Sequence, residues 1–540
     1  MSEKKSKTEV SSTVRSRSKA VFASVAGVAL VAAFGGVAVA DHMLAPEGQS
    51  DGVEVEATSL PVTQSTFVCG PTIAAVSSQQ GATDSAYAPG ADQAASTLRG
   101  VALGDRGMRV PGARIVSGDT TAELSKNLPE EEALKVSTRN EQGLSGTKSV
   151  NKGGVKAQDS AWFTVQGLGG KASPAAGVRS ISQKDGDLEG FASVPCTAPA
   201  TSHTIVGGST TLGQSAVLVV TNTQQATASV QVKVATKDGV STSSIPQFTL
   251  NPGDTRTINL AAAASDSEAI AVSVTSTGAP VRAAVSQTVL RGLVPGGIDS
   301  IEAQTELGRN VVIPGVQSQD PAADRSAAKA EDSGDLTPSV VVYNPSATQT
   351  EAKLRAFRDD GTSVDLGTVK VEGQSVGRVA TDALPAGVYS IVVEADHPVA
   401  ATARMLRGQD ANKAHDVAYI PGTPALGSQN VVAVPEHGEA RLRIFAADDA
   451  VVTVTPVLQN GSMGKVERVD VGAQRTVDIE THEDAVGWHV ASNRGEAYAS
   501  VVTTQGVGIG AMSVLGADQS NATVKVDLGP VAPRTVSGEY

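Results

Sequence analysis

One succession of strand signals recurs three times after residue 200. It constrains this chain more than any other feature, because each short repeat must bury a face against another layer. The first copy opens with Ala216-Val217-Leu218-Val219-Val220-Thr221-Asn222, the second with Ser339-Val340-Val341-Val342-Tyr343-Asn344 and the third with Ala440-Arg441-Leu442-Arg443-Ile444-Phe445. An alternating segment follows. Val230, Val232 and Val234 alternate with Gln231 and Lys233, and Ala352, Leu354 and Ala356 with Lys353 and Arg355. A period of two means one buried and one wet face. These segments end at Asp238-Gly239, Asp360-Gly361 and Asn460-Gly461, pairs that tolerate the positive φ of hairpin turns. Second turns at Pro252-Gly253, Glu372-Gly373 and Val471-Gly472 precede further strands, and two final strands close each copy.

About seven short strands per copy, with a turn every ten or so residues, predict an all-β chain of tandem immunoglobulin-like β-sandwich modules. The expected modules are 201–313, 338–424 and 430–516. Residues 314–337 form a flexible linker rich in Gln, Asp, Ala, Ser, Lys and Glu, and 517–540 a C-terminal tail. Residues 66–200 read as a separate β-rich domain, bracketed by Cys69 and Cys196. Residues 119–158, polar and carrying Glu130-Glu131-Glu132, read as a mobile insertion in it.

The N-terminus sets the expected location. Residues 1–19 form a basic tail with Lys4, Lys5, Lys7, Arg15, Arg17 and Lys19, and residues 20–40 carry no charge. As a helix that segment spans about 31 Å, one bilayer core, and the preceding positive charge keeps the N-terminus inside. A single N-terminal transmembrane helix would then anchor the chain at the cell membrane with the ectodomain outside. Ala38-Val39-Ala40 also fits a cleavage site, so secretion after cleavage near Ala40 stands as the alternative. Residues 41–65 read as a linker. Both outcomes expose Cys69 and Cys196, the two cysteines of the chain, to an oxidising compartment, where a disulfide is expected. The chain has a net charge of −13 although its N-terminus is basic. An ectodomain this acidic repels nucleic acid.

The segments Thr204-Ile205-Val206-Gly207-Gly208-Ser209, Gly213-Gln214-Ser215-Ala216-Val217-Leu218 and Thr221-Asn222, with Val68-Cys69-Gly70-Pro71 and Val194-Pro195-Cys196, resemble an actinobacterial family. Its members are secreted or membrane-anchored proteins classed as a domain of unknown function. Thr223 follows Asn222 where that family's pattern has Pro, while Asn344-Pro345 keeps the pair. The resemblance implies an envelope location and supplies no catalytic residue.

Four constellations in the sequence resemble sites. Gly373-Gln374-Ser375-Val376-Gly377 matches the G-x-S-x-G nucleophile elbow, but that motif needs a strand-to-helix turn. Here it joins two strands, and the sister copies carry Thr255 and Gln474. Glu436, His437, Glu439, His482, Glu483, Asp484 and His489 offer zinc-type ligands without ligand-type spacing. Asp359, Asp360 and Asp365 lack the spacing of a calcium loop and read as a hairpin turn. Aromatics make up only 3% of the chain, and Trp162, Trp488, Tyr389 and Tyr498 are the candidates for a binding surface. These readings predict no enzyme, cofactor or metal. The expected function is a non-enzymatic, membrane-anchored envelope protein that acts as a protein-interaction or assembly scaffold. The alternative is an envelope polysaccharide- or peptidoglycan-binding accessory protein. The partner is then the membrane through residues 20–40 and an unknown envelope protein or glycan, not nucleic acid.

Overall fold

The computed structural model describes residues 61–74, 93–136, 147–243, 245–328, 336–410 and 412–515. The expected membrane segment and C-terminal tail lie outside them. No helix among the described residues is long and apolar enough to cross a membrane.

The alternating segments form strands, and the chain folds as four copies of one antiparallel β-sandwich rather than three plus a different domain. In the first copy the eight strands are Gln64–Cys69, Ser96–Leu103, Ala113–Ser117, Thr120–Ser125, Ser149–Lys156, Ala161–Gln166, Ala175–Gln183 and Gly190–Cys196. Counted in chain order, they build two sheets with the orders 1-6-3-4 and 5-2-7-8. The same pairing recurs three times. The second sandwich runs from Ser202–Val206 to Val294–Glu302, and its fourth strand is split into Gly239–Val240 and Phe248–Leu250. The third runs from Gly308–Ser318 to Asp416–Pro421, with its sixth and seventh strands continuous as Gly387–Arg407. The fourth runs from Asn430–Ala433 to Gly508–Ser513.

Three expectations change. Residues 119–158 hold the fourth and fifth strands of the first sandwich and a short helix, Glu130–Leu134, with 137–146 outside the described residues. The polar composition there reflects outer strands wet on one face. Gly308–Ser318, placed across a module end and a flexible linker, is the opening strand of the third sandwich. Its apolar run is masked by Pro314-Gly315, where the register shifts. The strand order also differs from the immunoglobulin arrangement, whose sheets are ABED and CFG. Here the seventh strand pairs with the second, and an eighth strand follows it.

The sandwiches close head to tail into a ring through one interface type used four times. In each, the 5-2-7-8 sheet of one sandwich lies on the 1-6-3-4 sheet of its predecessor. Between second and third, Val206, Ala235 and Ala271 meet Val341, Tyr343 and Val376. Between third and fourth, Val312 and Phe357 meet Phe445, with the two rings 5.7 Å apart. Between fourth and first, Val101, Leu103 and Val178 share a core with Val432, and Arg99 donates to the Val434 carbonyl at 2.9 Å. Between first and second, Ser160 bonds Thr221 at 3.2 Å. The Arg282 guanidinium lies against Gly70, where a Cβ would stand 2.1 Å from it. This geometry explains the second strands. Ser339–Asn344 is apolar without alternation because all six residues are buried, one face in its own core and the other against a neighbour.

Candidate functional site: the axial junction and cavity

Each sandwich contributes its closing strand to the axis of the ring. These strands, Gly190–Cys196, Val294–Glu302, Asp416–Pro421 and Gly508–Ser513, pack on one another in a closed cycle. Their first halves meet at the carboxylate of Asp416, which is fully buried. Its Oδ1 accepts from the backbone N–H of Ile298 and of Val417, both at 3.0 Å. Its Oδ2 accepts from Phe191 and Ile509, both at 2.8 Å. One side chain therefore satisfies a backbone donor from the closing strand of every sandwich. Those donors lie on sheet edges and would otherwise be buried unpaired. Burial pushes the Asp416 carboxyl well above the ordinary carboxylate range, and the four donors pull it partly back. Nearby, Asp299 Oδ2 accepts from Tyr419 N–H at 2.6 Å and Oδ1 from Ser300 N–H at 2.8 Å. Burial likewise raises this carboxyl well above the usual range.

Small residues permit this convergence. A Cβ on Gly510 would lie 2.6 Å from the Ser193 nitrogen of the first closing strand, so only glycine lets those backbones approach.

The closing strands end around a cavity of about 430 Å³, within the ~300–1,000 Å³ range of ligand pockets. All four sandwiches line it. Phe67, Pro174, Pro421, Val431, Met512 and Leu515 make it largely apolar, whereas Ser300, Glu302, Gln304 and Glu306 form a polar wall from the second sandwich and the segment after it. Among the described residues, no Lys or Arg lines it. Glu302 is tied to Arg282 at 2.5 Å; burial raises its carboxyl, and Arg282 pulls it down. His203 Nε2 faces the Val281 carbonyl at 2.8 Å, and burial lowers its pKa, which keeps the ring neutral at neutral pH. Cys69 and Cys196 form the disulfide, and Cys196 also lines this cavity.

Of the other residues singled out from sequence, Glu436, Glu439, His482, Glu483 and Asp484 line one polar pocket of the fourth sandwich together with Arg99 and Arg441. Among the described residues, however, no three His, Cys, Asp or Glu side chains converge as metal ligands; the rest lie apart. Trp488 and Tyr389 are 1% and 0% exposed and belong to the cores of the fourth and third sandwiches, and Tyr389 donates to the Pro385 carbonyl. Both are therefore packing residues, since an aromatic at an inward strand position is worth most as buried area. Tyr498 is half-buried at the third–fourth interface and bonds Glu496 at 3.2 Å. Its pKa is pushed up to about 12 by burial and then by Glu496. Trp162 is half-buried in the first sandwich. Ser375 is buried, and its hydroxyl donates to the Glu372 carbonyl at 3.0 Å. It opens a strand paired with Ser339–Asn344, and no helix stands behind it. Glu436 is taken by Arg99 at 3.4 Å, and His489 is buried in a strand. Asp360 caps its own turn by accepting from Thr362 N–H at 2.8 Å.

Sequence reasoning found the first closing strand, as the Phe191-Ala192-Ser193-Val194 signal within Gly190–Cys196, but missed Asp416, Asp299 and the other three closing strands. Their signal is a glycine- or proline-broken run, such as Val294-Pro295-Gly296-Gly297-Ile298, which imitates a loop. The asparagine of the family motif has a structural role. Asn222 Nδ2 donates to the carbonyls of Ala226 and Leu250, and Asn344 Nδ2 to those of Thr348, Val371 and Glu372.

Fold and site together define a ring of four β-sandwiches around an axial, ligand-sized cavity. The chain belongs to the family of unknown function DUF5719, matched over residues 150–482. That range contains the Val194–Cys196 and Thr204–Asn222 segments of the resemblance but not Val68–Pro71. No curated protein matches. Among solved structures, the chain is similar to the BSP domain of a biofilm associated protein at 9% identity, covering 86% of this chain and 99% of that one with a TM-score of 0.12. It is similar to the RrgB pilus protein of Streptococcus pneumoniae at 10% identity, covering 84% and 94%, TM-score 0.11. A Salmonella alpha-2-macroglobulin reacted with methylamine matches at 10% identity, covering 86% of this chain and 40% of that one, TM-score 0.11. TM-scores this low do not extend to the arrangement of the sandwiches.

Proposed function

We propose that this chain is a non-enzymatic cell-envelope protein that serves as a rigid scaffold for another envelope protein. Residues 20–40 form its membrane segment, and the sandwiches stand outside the cytoplasm. The observation that carries the reading is the closure of four sandwiches head to tail about Asp416. It gives a pre-organised body rather than a flexible string, so a partner meets a fixed surface and little ordering entropy is lost on binding. The buried Cys69–Cys196 disulfide supports an oxidising compartment. The net charge of −13 disfavours nucleic acid as a partner. Two of the four aromatics needed for a glycan platform lie in cores, so the polysaccharide alternative is not favoured.

The test is crosslinking of the full chain in intact envelopes, followed by affinity capture. One reproducible protein partner, reduced when the ring is opened by Asp416→Ala, is expected. Capture of no reproducible partner, or retention of the chain in the cytosolic fraction, overturns the reading. N-terminal sequencing of the mature chain separates an anchored from a secreted form: a terminus at Asp41 means cleavage.

A further inference from the structure

We propose that the axial cavity binds a single-chain amphiphile with a cationic head, its alkyl portion on the apolar walls and its head at the polar wall of the second sandwich. The inference goes beyond the scaffold reading and stands or falls separately from it. Three observations carry it. The cavity has the volume of a ligand site and is formed jointly by all four sandwiches, so it exists only in the closed ring. Its lining is amphipathic by origin. Phe67 and Pro174 from the first sandwich, Pro421 from the third, and Val431 and Met512 from the fourth are apolar, whereas the carboxylates Glu302 and Glu306 arrive together on one segment. The charge is one-sided. Among the described residues no Lys or Arg lines the cavity, His203 is turned to the Val281 carbonyl, Arg282 is spent on buried Glu302, and Glu306 is exposed.

An anionic head would be repelled at that wall, and a cation would be attracted through a partly dehydrated path in which charge interactions are strengthened. The same wall therefore selects against fatty acids and anionic phospholipids of equal chain length. Burial of the chain against Val431 and Met512 supplies affinity that is insensitive to head charge. Head discrimination and chain binding are thus carried by different residues and can be separated.

The experiment uses the full-length protein in envelopes and two photoactivatable probes, a diazirine-bearing dodecyltrimethylammonium and the matching dodecanoate. Adducts are mapped by mass spectrometry. The ammonium probe should label peptides containing Val431 or Met512 about fivefold more than the carboxylate probe, a ratio set by one or two partly screened charge contacts. Glu306→Lys, at an exposed position, should abolish or invert that ratio while chain labelling persists. Ala198→Trp, in the half-buried loop after Cys196, should fill the cavity and suppress both probes with the unfolding midpoint unchanged. Equal labelling by the two heads, a ratio untouched by Glu306→Lys, or no labelling of these peptides by either probe overturns the proposal.

Discussion

Replacing Asp416 by alanine tests whether one carboxylate holds the four sandwiches together. The substitution leaves the N–H groups of Ile298, Val417, Phe191 and Ile509 buried without their acceptor. An unsatisfied buried donor costs about 1–3 kcal/mol, so four of them destabilise the junction by roughly 4–12 kcal/mol. Asp416→Asn is the informative partner. Its amide oxygen still accepts two N–H groups, but its NH₂ group faces the other two as a donor, so the expected cost is about half. The pH dependence has a definite sign. The folded carboxyl is raised above its unfolded value, so the native state binds the proton more tightly. This contribution to stability is full below the unfolded pKa near 4 and is lost as pH rises toward the folded value. Asp416→Asn removes that dependence. The assay is amide hydrogen exchange at Phe191, Ile298 and Ile509 together with urea unfolding. At 1.4 kcal/mol per decade, exchange at those amides should accelerate by about a hundredfold or more in the alanine variant. Unchanged exchange and an unchanged midpoint in Asp416→Ala would refute the claim that this side chain closes the ring.

Three further outcomes follow from the same structure. Gly510→Ala forces a Cβ to within 2.6 Å of the Ser193 nitrogen and should cost about 1–3 kcal/mol by overpacking, read as a lowered urea midpoint. A paired Cys69→Ala and Cys196→Ala variant, or reduction of the wild type, opens a loop spanning 127 positions. The expected loss is about 4–5 kcal/mol, and a midpoint insensitive to reductant would contradict it. His489, whose pKa burial lowers to about 4, contributes stability that is full above the unfolded value of 6.5. That contribution is lost as pH falls toward 4 and amounts to about 3 kcal/mol in total. In His489→Gln the acid-side slope of stability against pH should fall by up to one proton. His415, also lowered to about 4, first by burial and then by Arg291, retains its own share.

The alternation of Val230, Val232 and Val234, the Asp-Gly and Asn-Gly turns and the two cysteines determined, from sequence alone, that the chain is built of repeated β-sandwiches with a disulfide. These are local statements: a strand's period and a turn's φ depend on neighbouring residues. That residues 64–196 are a further copy of the same sandwich was not legible, because the repeat there is carried by strand pairing, with little shared residue text. Unbroken apolar runs such as Val340-Val341-Val342 read only as strands; that both their faces are buried, and against which neighbour, came from the structure. Asp416 is one carboxylate among many along the chain. It becomes the junction only because three strands more than ninety residues distant in sequence present edge amides to it. The cavity at the other end of the closing strands is likewise a property of ring closure. Its walls come from four sandwiches whose separate sequences contain no pocket, and only tertiary packing brings them together.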